Sequence, residues 1–258
     1  MDIRIAFFDL DGTLLNPKTQ AISPNTAAAL AQLRQQGIKT CLVTGRSAGS
    51  LPEFENVSFD ALALSNGALC YTKEKIIYSD PVDPRDVAQI IRNADGLGLS
   101  VSVAGKDGMS ANRYTEDMAG YYALAGLELT IDPNFDQASR EPVYKVMVGC
   151  RQAHHQALLQ GTSTVKLAIS WDRAVDIVPK TAGKSAGIRG ILAYFGLTPS
   201  QAIAFGDSYN DLEMFRSVGH SVAMGNAVED LKAIASDVCP SVSQDGIYQY
   251  CLAKGLLG

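Results

Sequence analysis

Carboxylates recur in this chain where a buried apolar run gives way to glycine. Asp9 and Asp11 fall in Asp9-Leu10-Asp11-Gly12, at the end of the run Ile3 to Leu10. Asp207, Asn210 and Asp211 fall in Gly206-Asp207-Ser208-Tyr209-Asn210-Asp211, directly after the run Ala202 to Phe205. Two further runs end on uncharged polar residues, at Thr44-Gly45-Arg46 and at Asn66-Gly67. In doubly wound sheets ligands bind beyond the carboxyl ends of the strands, so acidic residues from two distant segments can converge on one rim. Carboxylates gathered in this way are costly without a cation among them. An all-oxygen donor set suits magnesium, and magnesium commonly attends phosphate chemistry.

The elements that must position these residues follow from the hydrophobic pattern. Ile3 to Leu10, Ile38 to Val43 and Asp60 to Ser65 are short apolar runs bounded by glycine or turn residues, the signature of buried parallel strands. Ser23-Pro24 opens a helix between the first two, with Ser as N-cap and Pro at the first helical position, and Gly37 closes it. Strand, helix, strand in this order implies parallel pairing through right-handed crossovers. After about residue 80 the rhythm changes. A helix near Arg85 to Asn93 leads to strands at Leu99 to Ala104, Val143 to Cys150, Val165 to Ser170 and Ala174 to Val178. Helical stretches near Glu116 to Ala125 and Gln152 to Leu159 lie between them. Beyond Pro179 the first rhythm resumes, with a helix Lys184 to Phe195, the strand Ala202 to Phe205 and the strand His220 to Met224. The expected organisation is a core domain split into 1–80 and 180–258, interrupted by an α/β domain at 81–179, which is long enough to fold independently.

Four of these segments together resemble the haloacid dehalogenase-type hydrolase superfamily. Asp9-Leu10-Asp11-Gly12-Thr13-Leu14-Leu15 is similar to its first motif and Val43-Thr44-Gly45-Arg46 to its second. Lys184, in Thr181-Ala182-Gly183-Lys184, is similar to the third, and Gly206 to Asp211 to the fourth. Asn66-Gly67-Ala68 and Gly225-Asn226-Ala227 narrow the resemblance to the Cof-like group, whose large cap is inserted between the second and third motifs. Ser185 is a departure, because the group often has Gly after the motif lysine; the lysine itself is intact.

The resemblance implies a Rossmann-like α/β core with a parallel sheet and an inserted α/β cap. It also implies roles: Asp9 as nucleophile forming an aspartyl-phosphate, and Asp11 as acid and then base. Magnesium would take a carboxylate oxygen of Asp9, the backbone carbonyl of Asp11 and the carboxylate of Asp207. Thr44, Gly45, Lys184 and Asn210 would face the phosphoryl oxygens, with Asp211 orienting Lys184 or a metal-bound water. The implied activity is hydrolysis of small phosphorylated metabolites such as sugar phosphates. Two alternatives stay open: a phosphomutase of the same superfamily, and a non-catalytic ligand-binding protein that kept the fold.

Other readings of the same residues are weaker. Gly183-Lys184-Ser185 imitates the end of a P-loop, but Val178 stands where that motif needs Gly. No G-x-G-x-x-G follows the first strand, which removes the usual dinucleotide site. His154 and His155 are expected to be solvated at a helix start, and Tyr114, Tyr121, Tyr122 and Trp171 to pack within the insert. Arg113 and Lys145 are candidates for facing the substrate. The five cysteines are scattered without a C-x-x-C pair, so buried free thiols in a reducing compartment, the cytoplasm, are expected. A net charge of -5 argues against nucleic acid as a partner. No signal peptide is expected, because Met1 to Phe8 carries Asp2 and Arg4 and runs into acidic residues without a small-residue cleavage site, and no membrane span, since no stretch is long and apolar enough.

Overall fold

The structure, a computed structural model, describes residues 2–54, 56–168 and 171–257. The first part of the chain contains β1 (Ile5–Phe8), α1 (Pro24–Gln35), β2 (Lys39–Val43), β3 (Ala61–Leu64), β4 (Leu69–Tyr71) and β5 (Ile76–Ser79). Next come α2 (Pro84–Gly96), β6 (Ser100–Ala104), β7 (Met109–Ala111), α3 (Glu116–Leu124), α4 (Phe135–Ala138), β8 (Lys145–Gly149), α5 (His155–Leu158), β9 (Val165–Ala168) and β10 (Ala174–Pro179). The chain then adds α6 (Lys184–Phe195), β11 (Ala202–Gly206), α7 (Leu212–Phe215), β12 (His220–Ala223), α8 (Glu229–Ile234), β13 (Asp237–Val238) and α9 (Gly246–Ala253).

These elements form two compact units. One comprises Met1–Gly45, Glu53–Tyr78 and Gly183–Gly258; the other comprises Arg46–Pro52 and Ser79–Ala182. Among the described residues, the first unit is built on the strand order β13-β12-β11-β1-β2-β3-β4-β5. From β13 to β3 neighbouring strands pair parallel, and β4 then turns back antiparallel to β3. The central strand β1 is unexposed at every residue, as expected of a parallel strand covered on both faces. Phe8 stacks on Phe205 of the neighbouring β11 with ring centroids 5.2 Å apart. The start of α1 is fixed as its sequence predicts: the Ser23 hydroxyl accepts the Thr26 N–H at 3.1 Å, and Pro24 takes the first turn.

The second unit carries an antiparallel sheet of order β7-β6-β8-β10-β9. Its strands alternate. Val101, Val103, Val146, Val148, Val175 and Ile177 pack with Val87, Ile90 and Ala94 of α2 and Leu158 of α5. On the opposite face Met147 and Ala104 pack with Met118 and Tyr122 of α3. Asp86 fastens α2 to the segment before β9. Its Oδ2 accepts from the Thr164 N–H at 2.7 Å, the Thr164 hydroxyl at 2.6 Å and the Ser163 N–H at 3.1 Å.

Several expectations need correction in detail. The helix expected at 152–159 is a 3₁₀ turn (Gln152–His154) running into the four-residue α5. Tyr114 is 63% exposed rather than packed, whereas Tyr121 stacks on Trp171 and Tyr122 is buried. His154 and His155 are half-buried, because the short helix they open packs against α2. Beyond the elements expected from sequence lie β4, β5, β7, β13, α4, α7, α8 and α9: such short strands and helices show no clear period, and α9 opens on a glycine with no side-chain cap. The expected strand 165–170 is seen as β9; its last two residues, Ile169 and Ser170, lie outside the described residues.

Candidate active site

Asp9 follows β1 directly, and its N–H donates to Phe205 O of β11 at 3.0 Å, which holds the two strand ends in step. The loop after it folds back tightly. Leu14 and Leu15 N–H both donate to Leu10 O, at 2.9 and 2.8 Å, and Gly12 takes φ +85. A side chain at Gly12 would collide with Asp207 Oδ2, so glycine is required both by the backbone angle and by the close approach of that carboxylate. The Thr13 hydroxyl donates to Asp207 Oδ1 at 2.9 Å, and Asn226 Nδ2 donates to Gly12 O at 2.8 Å. Two chain segments nearly two hundred residues apart in sequence are thereby locked at one strand-end rim.

Lys184, the first residue of α6, is buried and reaches into this rim. Its Nζ donates to Asp211 Oδ1 at 2.6 Å and to Asp9 Oδ1. A cation in the first turn of a helix opposes the helix dipole, and the two carboxylates offset that cost. Burial works against the ammonium, yet the attraction of Asp211 and Asp9 outweighs it and raises the Lys184 pKa. Asp211 is fully engaged. Besides Lys184, its Oδ2 accepts the N–H groups of Asp207 and Ser208, both at 2.9 Å.

Oxygens of Asp9, Asp207 and Asp211 all lie within 4.8 Å of one another. Burial raises the Asp9 pKa well above the ordinary carboxylate range, with Lys184 opposing and Asp211 and Asp207 adding to the rise. Burial likewise pushes Asp207 up to about 6. Such a cluster has spare demand for positive charge that one lysine does not meet. An oxygen-only set of this kind fits a hard divalent cation; Asp211 already accepts three hydrogen bonds, so Asp9 and Asp207 are the freer carboxylates to hold one. The Asp11 carboxylate lies outside this group, on an exposed residue; the expectation for Asp11 as ligand concerned its backbone carbonyl.

Thr44 is buried at the end of β2, its N–H donating to Ala63 O at 2.9 Å and its carbonyl accepting the Asn66 N–H at 3.0 Å. Gly45 follows it against the Asn66 carboxamide. Asn210 is exposed, in the turn before α7, and accepts the Ser208 hydroxyl at 3.0 Å. In the other unit Lys145 is buried against Asp176 at 3.0 Å, and the Tyr121 hydroxyl donates to the same carboxylate at 2.7 Å. Arg113 pairs with Asp95. Thr13 was missed as a contact to Asp207, although it lies within the first motif. Asn226, part of the Gly225-Asn226-Ala227 motif, serves here as a strut to Gly12 O, a role with no sequence signal.

The strand ends of this parallel sheet gather three carboxylates, two of them bonded to one buried lysine, a charge arrangement that suits a cation and an anionic ligand together. The chain belongs to the haloacid dehalogenase-like hydrolase family, whose model matches residues 6–251. It is 28% identical over 260 residues, the whole of both chains, to YkrA of Bacillus subtilis, provisionally named a phosphatase. It is 26% identical to the HMP-PP phosphatase of Citrobacter koseri, over 89% of this chain and 87% of that one. Among solved structures it is similar to the HAD subclass IIB sugar phosphatase BT4131, at 26% identity and a TM-score of 0.83, covering 98% of this chain and 100% of that one.

Proposed function

We propose that this chain is a magnesium-dependent phosphomonoester hydrolase of small phosphorylated metabolites, sugar phosphates foremost, working through an aspartyl-phosphate on Asp9. One observation carries the reading: Asp9 is buried at a strand end, hydrogen-bonded by Lys184, which Asp211 in turn anchors. That is the arrangement of a held nucleophile beside fixed positive charge.

In the first step Asp9 attacks phosphorus, a bond forms between its carboxylate oxygen and phosphorus, and the ester P–O bond breaks. Asp11 gives its proton to the departing alkoxide. In the second step Asp11 takes a proton from water, the oxygen attacks phosphorus, and the bond to Asp9 breaks to release inorganic phosphate. Thr44, the Gly45 N–H and Lys184 hold the phosphoryl oxygens, with Asn210 at the edge, and Asp211 keeps Lys184 in place. The carboxylates of Asp9 and Asp207 and the backbone carbonyl of Asp11 would hold magnesium, which would supply positive charge to keep the carboxylates ionised and balance the phosphate.

The insert at 81–179 we take as a separate cap domain that sets substrate choice, in keeping with its own sheet and its own apolar clusters. Selectivity then favours small metabolites over phosphoproteins. The buried free thiols of all five cysteines support a cytoplasmic location. Among the described residues, no helix is long and apolar enough to cross a membrane. The deciding experiment measures phosphate release across a broad panel of phosphometabolites with magnesium, alongside a phosphoserine protein. Turnover of metabolites that Asp9→Asn abolishes supports the reading. Release of phosphate from none of them, or equal kcat/KM for the protein, sinks it.

A further inference from the structure

Oδ1 of Asn66 is shut off from solvent and accepts no hydrogen bond. A carbonyl oxygen in that state is destabilising, and a native fold rarely leaves one without a purpose. Its backbone is unusual as well. Ser65 and Asn66 take positive φ in succession, +50 and +54, a conformation that Asn tolerates better than most residues. Strain of this kind persists where the surroundings enforce it, often at ligand sites.

The surroundings are the elements read above as phosphate-binding. A Cβ placed on Gly45 would stand 3.1 Å from Asn66 Oδ1, so the carboxamide lies against the Gly45 backbone, one residue past Thr44. On its other side, Gly67 abuts the start of α6: a Cβ there would meet Gly187 N at 2.9 Å. Lys184 lies in that same first turn. Asn66 is therefore held between the two segments that flank the phosphoryl site in the first unit.

A phosphoryl oxygen is itself an acceptor and cannot satisfy Oδ1. The missing partner is a donor close to a phosphate ester. In polyol and sugar phosphates that donor is a hydroxyl near the phosphorylated carbon. We propose that Asn66 Oδ1 accepts a hydrogen bond from a substrate hydroxyl, and so selects hydroxylated phosphate esters over aryl or simple alkyl ones. This rests on the phosphatase reading and narrows its substrate class.

The test compares kcat/KM for a set of hexose and polyol phosphates with that for p-nitrophenyl phosphate, which has no such hydroxyl, in the intact protein and two variants. Asn66→Gly accepts the backbone angle and removes the carboxamide. It should lower the ratio of hydroxylated to aryl substrate by about tenfold or more, as expected when a site built for a hydroxyl loses its partner. Asn66→Asp keeps an acceptor oxygen and the tolerance for positive φ. Its added charge lowers both rates, but the ratio should stay within about threefold of the unsubstituted protein. A thermal melt confirms that each variant is folded; if Asn66→Gly is not, Asn66→Ala, which also removes the carboxamide, takes its place with the same expected fall in the ratio. An equal loss on both substrates in Asn66→Gly overturns the proposal, since the carboxamide would then serve the phosphoryl group or the loop. An unchanged ratio overturns it too, as does a collapsed ratio in Asn66→Asp. If the unsubstituted protein hydrolyses p-nitrophenyl phosphate but no hydroxylated ester, the selectivity proposal alone fails; if it hydrolyses neither, the phosphatase reading fails with it.

Discussion

Lys184 Nζ stands 2.6 Å from Asp211 Oδ1 and at the same time donates to Asp9, so one buried ammonium joins the strand ends of β1 and β11. Three roles meet in that contact. It neutralises part of an acidic cluster, fixes the start of α6 and, in the proposed mechanism, aims positive charge at the phosphoryl group. Lys184→Met should therefore damage both rate and stability. We expect a loss of about 10³ in kcat from the missing charge. Leaving two buried carboxylates without their cation should cost about 3–5 kcal/mol of folding free energy. Urea unfolding and steady-state kinetics check the two effects separately, and a variant within tenfold of the native rate would refute the assigned role.

Asp9→Asn separates chemistry from folding. The amide is nearly isosteric, so packing is preserved, while the carboxylate proposed as nucleophile is gone. Because burial already disfavours the Asp9 carboxylate, the neutral amide should leave the metal-free melting temperature unchanged or slightly higher. Turnover should fall below detection. Quenching the unsubstituted enzyme with acid during turnover should trap phosphate on the protein, and Asp9→Asn should trap none.

Metal binding should be linked to protons in a definite direction. Asp207 is pushed up to about 6 in the folded state, above its unfolded value. In the window between those values the folded state binds more protons than the unfolded one, so metal-free stability falls as pH rises through it. A divalent cation reverses this by favouring the ionised carboxylates. The increase in melting temperature caused by magnesium should accordingly be larger at pH 8 than at pH 5. Exhaustive chelation should abolish activity, and Asp207→Ala should weaken the magnesium dependence of both readouts.

Asp86 gives the opposite sign. Burial raises its pKa, but hydrogen bonds from Thr164 and Ser163 outweigh burial and leave the carboxyl below the ordinary range. Its contribution to stability is present above the unfolded value, near pH 4, and is lost as pH falls through the lower folded value. Asp86→Ala should destabilise the protein by about 2–3 kcal/mol, since three donors lose a charged acceptor. The variant's melting curve should also show a flatter dependence on pH below 4 than the native one.

Much of this site could be read from the chain because its residues are punctuation. Asp9, Thr44 and Asp207 each stand where a buried apolar run stops, and a run's end is visible without knowing the fold. Lys184 was visible only through the resemblance, since its charge beside a helix start has no local reason. Thr13 and Asn226 act through contacts spanning about two hundred residues, for which sequence spacing carries no signal. The insert was harder. Its sheet is antiparallel and covered on both faces by different helices, so α3 and α2 could be anticipated but the pairing of β6 with β8, across α3 and α4, could not.

The place of β1 between β2 and β11 has a consequence for synthesis on the ribosome. The strand that leads to Asp9 is made almost two hundred residues before its neighbour on one side, Ala202–Gly206. Until that strand emerges, one hydrogen-bonding edge of β1 lacks its final partner, a state open to wrong pairing. The sheet made of β6 to β10 has no such delay, because every strand in it is translated before residue 180. The middle of the chain is therefore expected to reach its native arrangement first. The strand that leads to Asp9 waits for it, and the acidic rim is assembled only once Asp207 and Asp211 have been made.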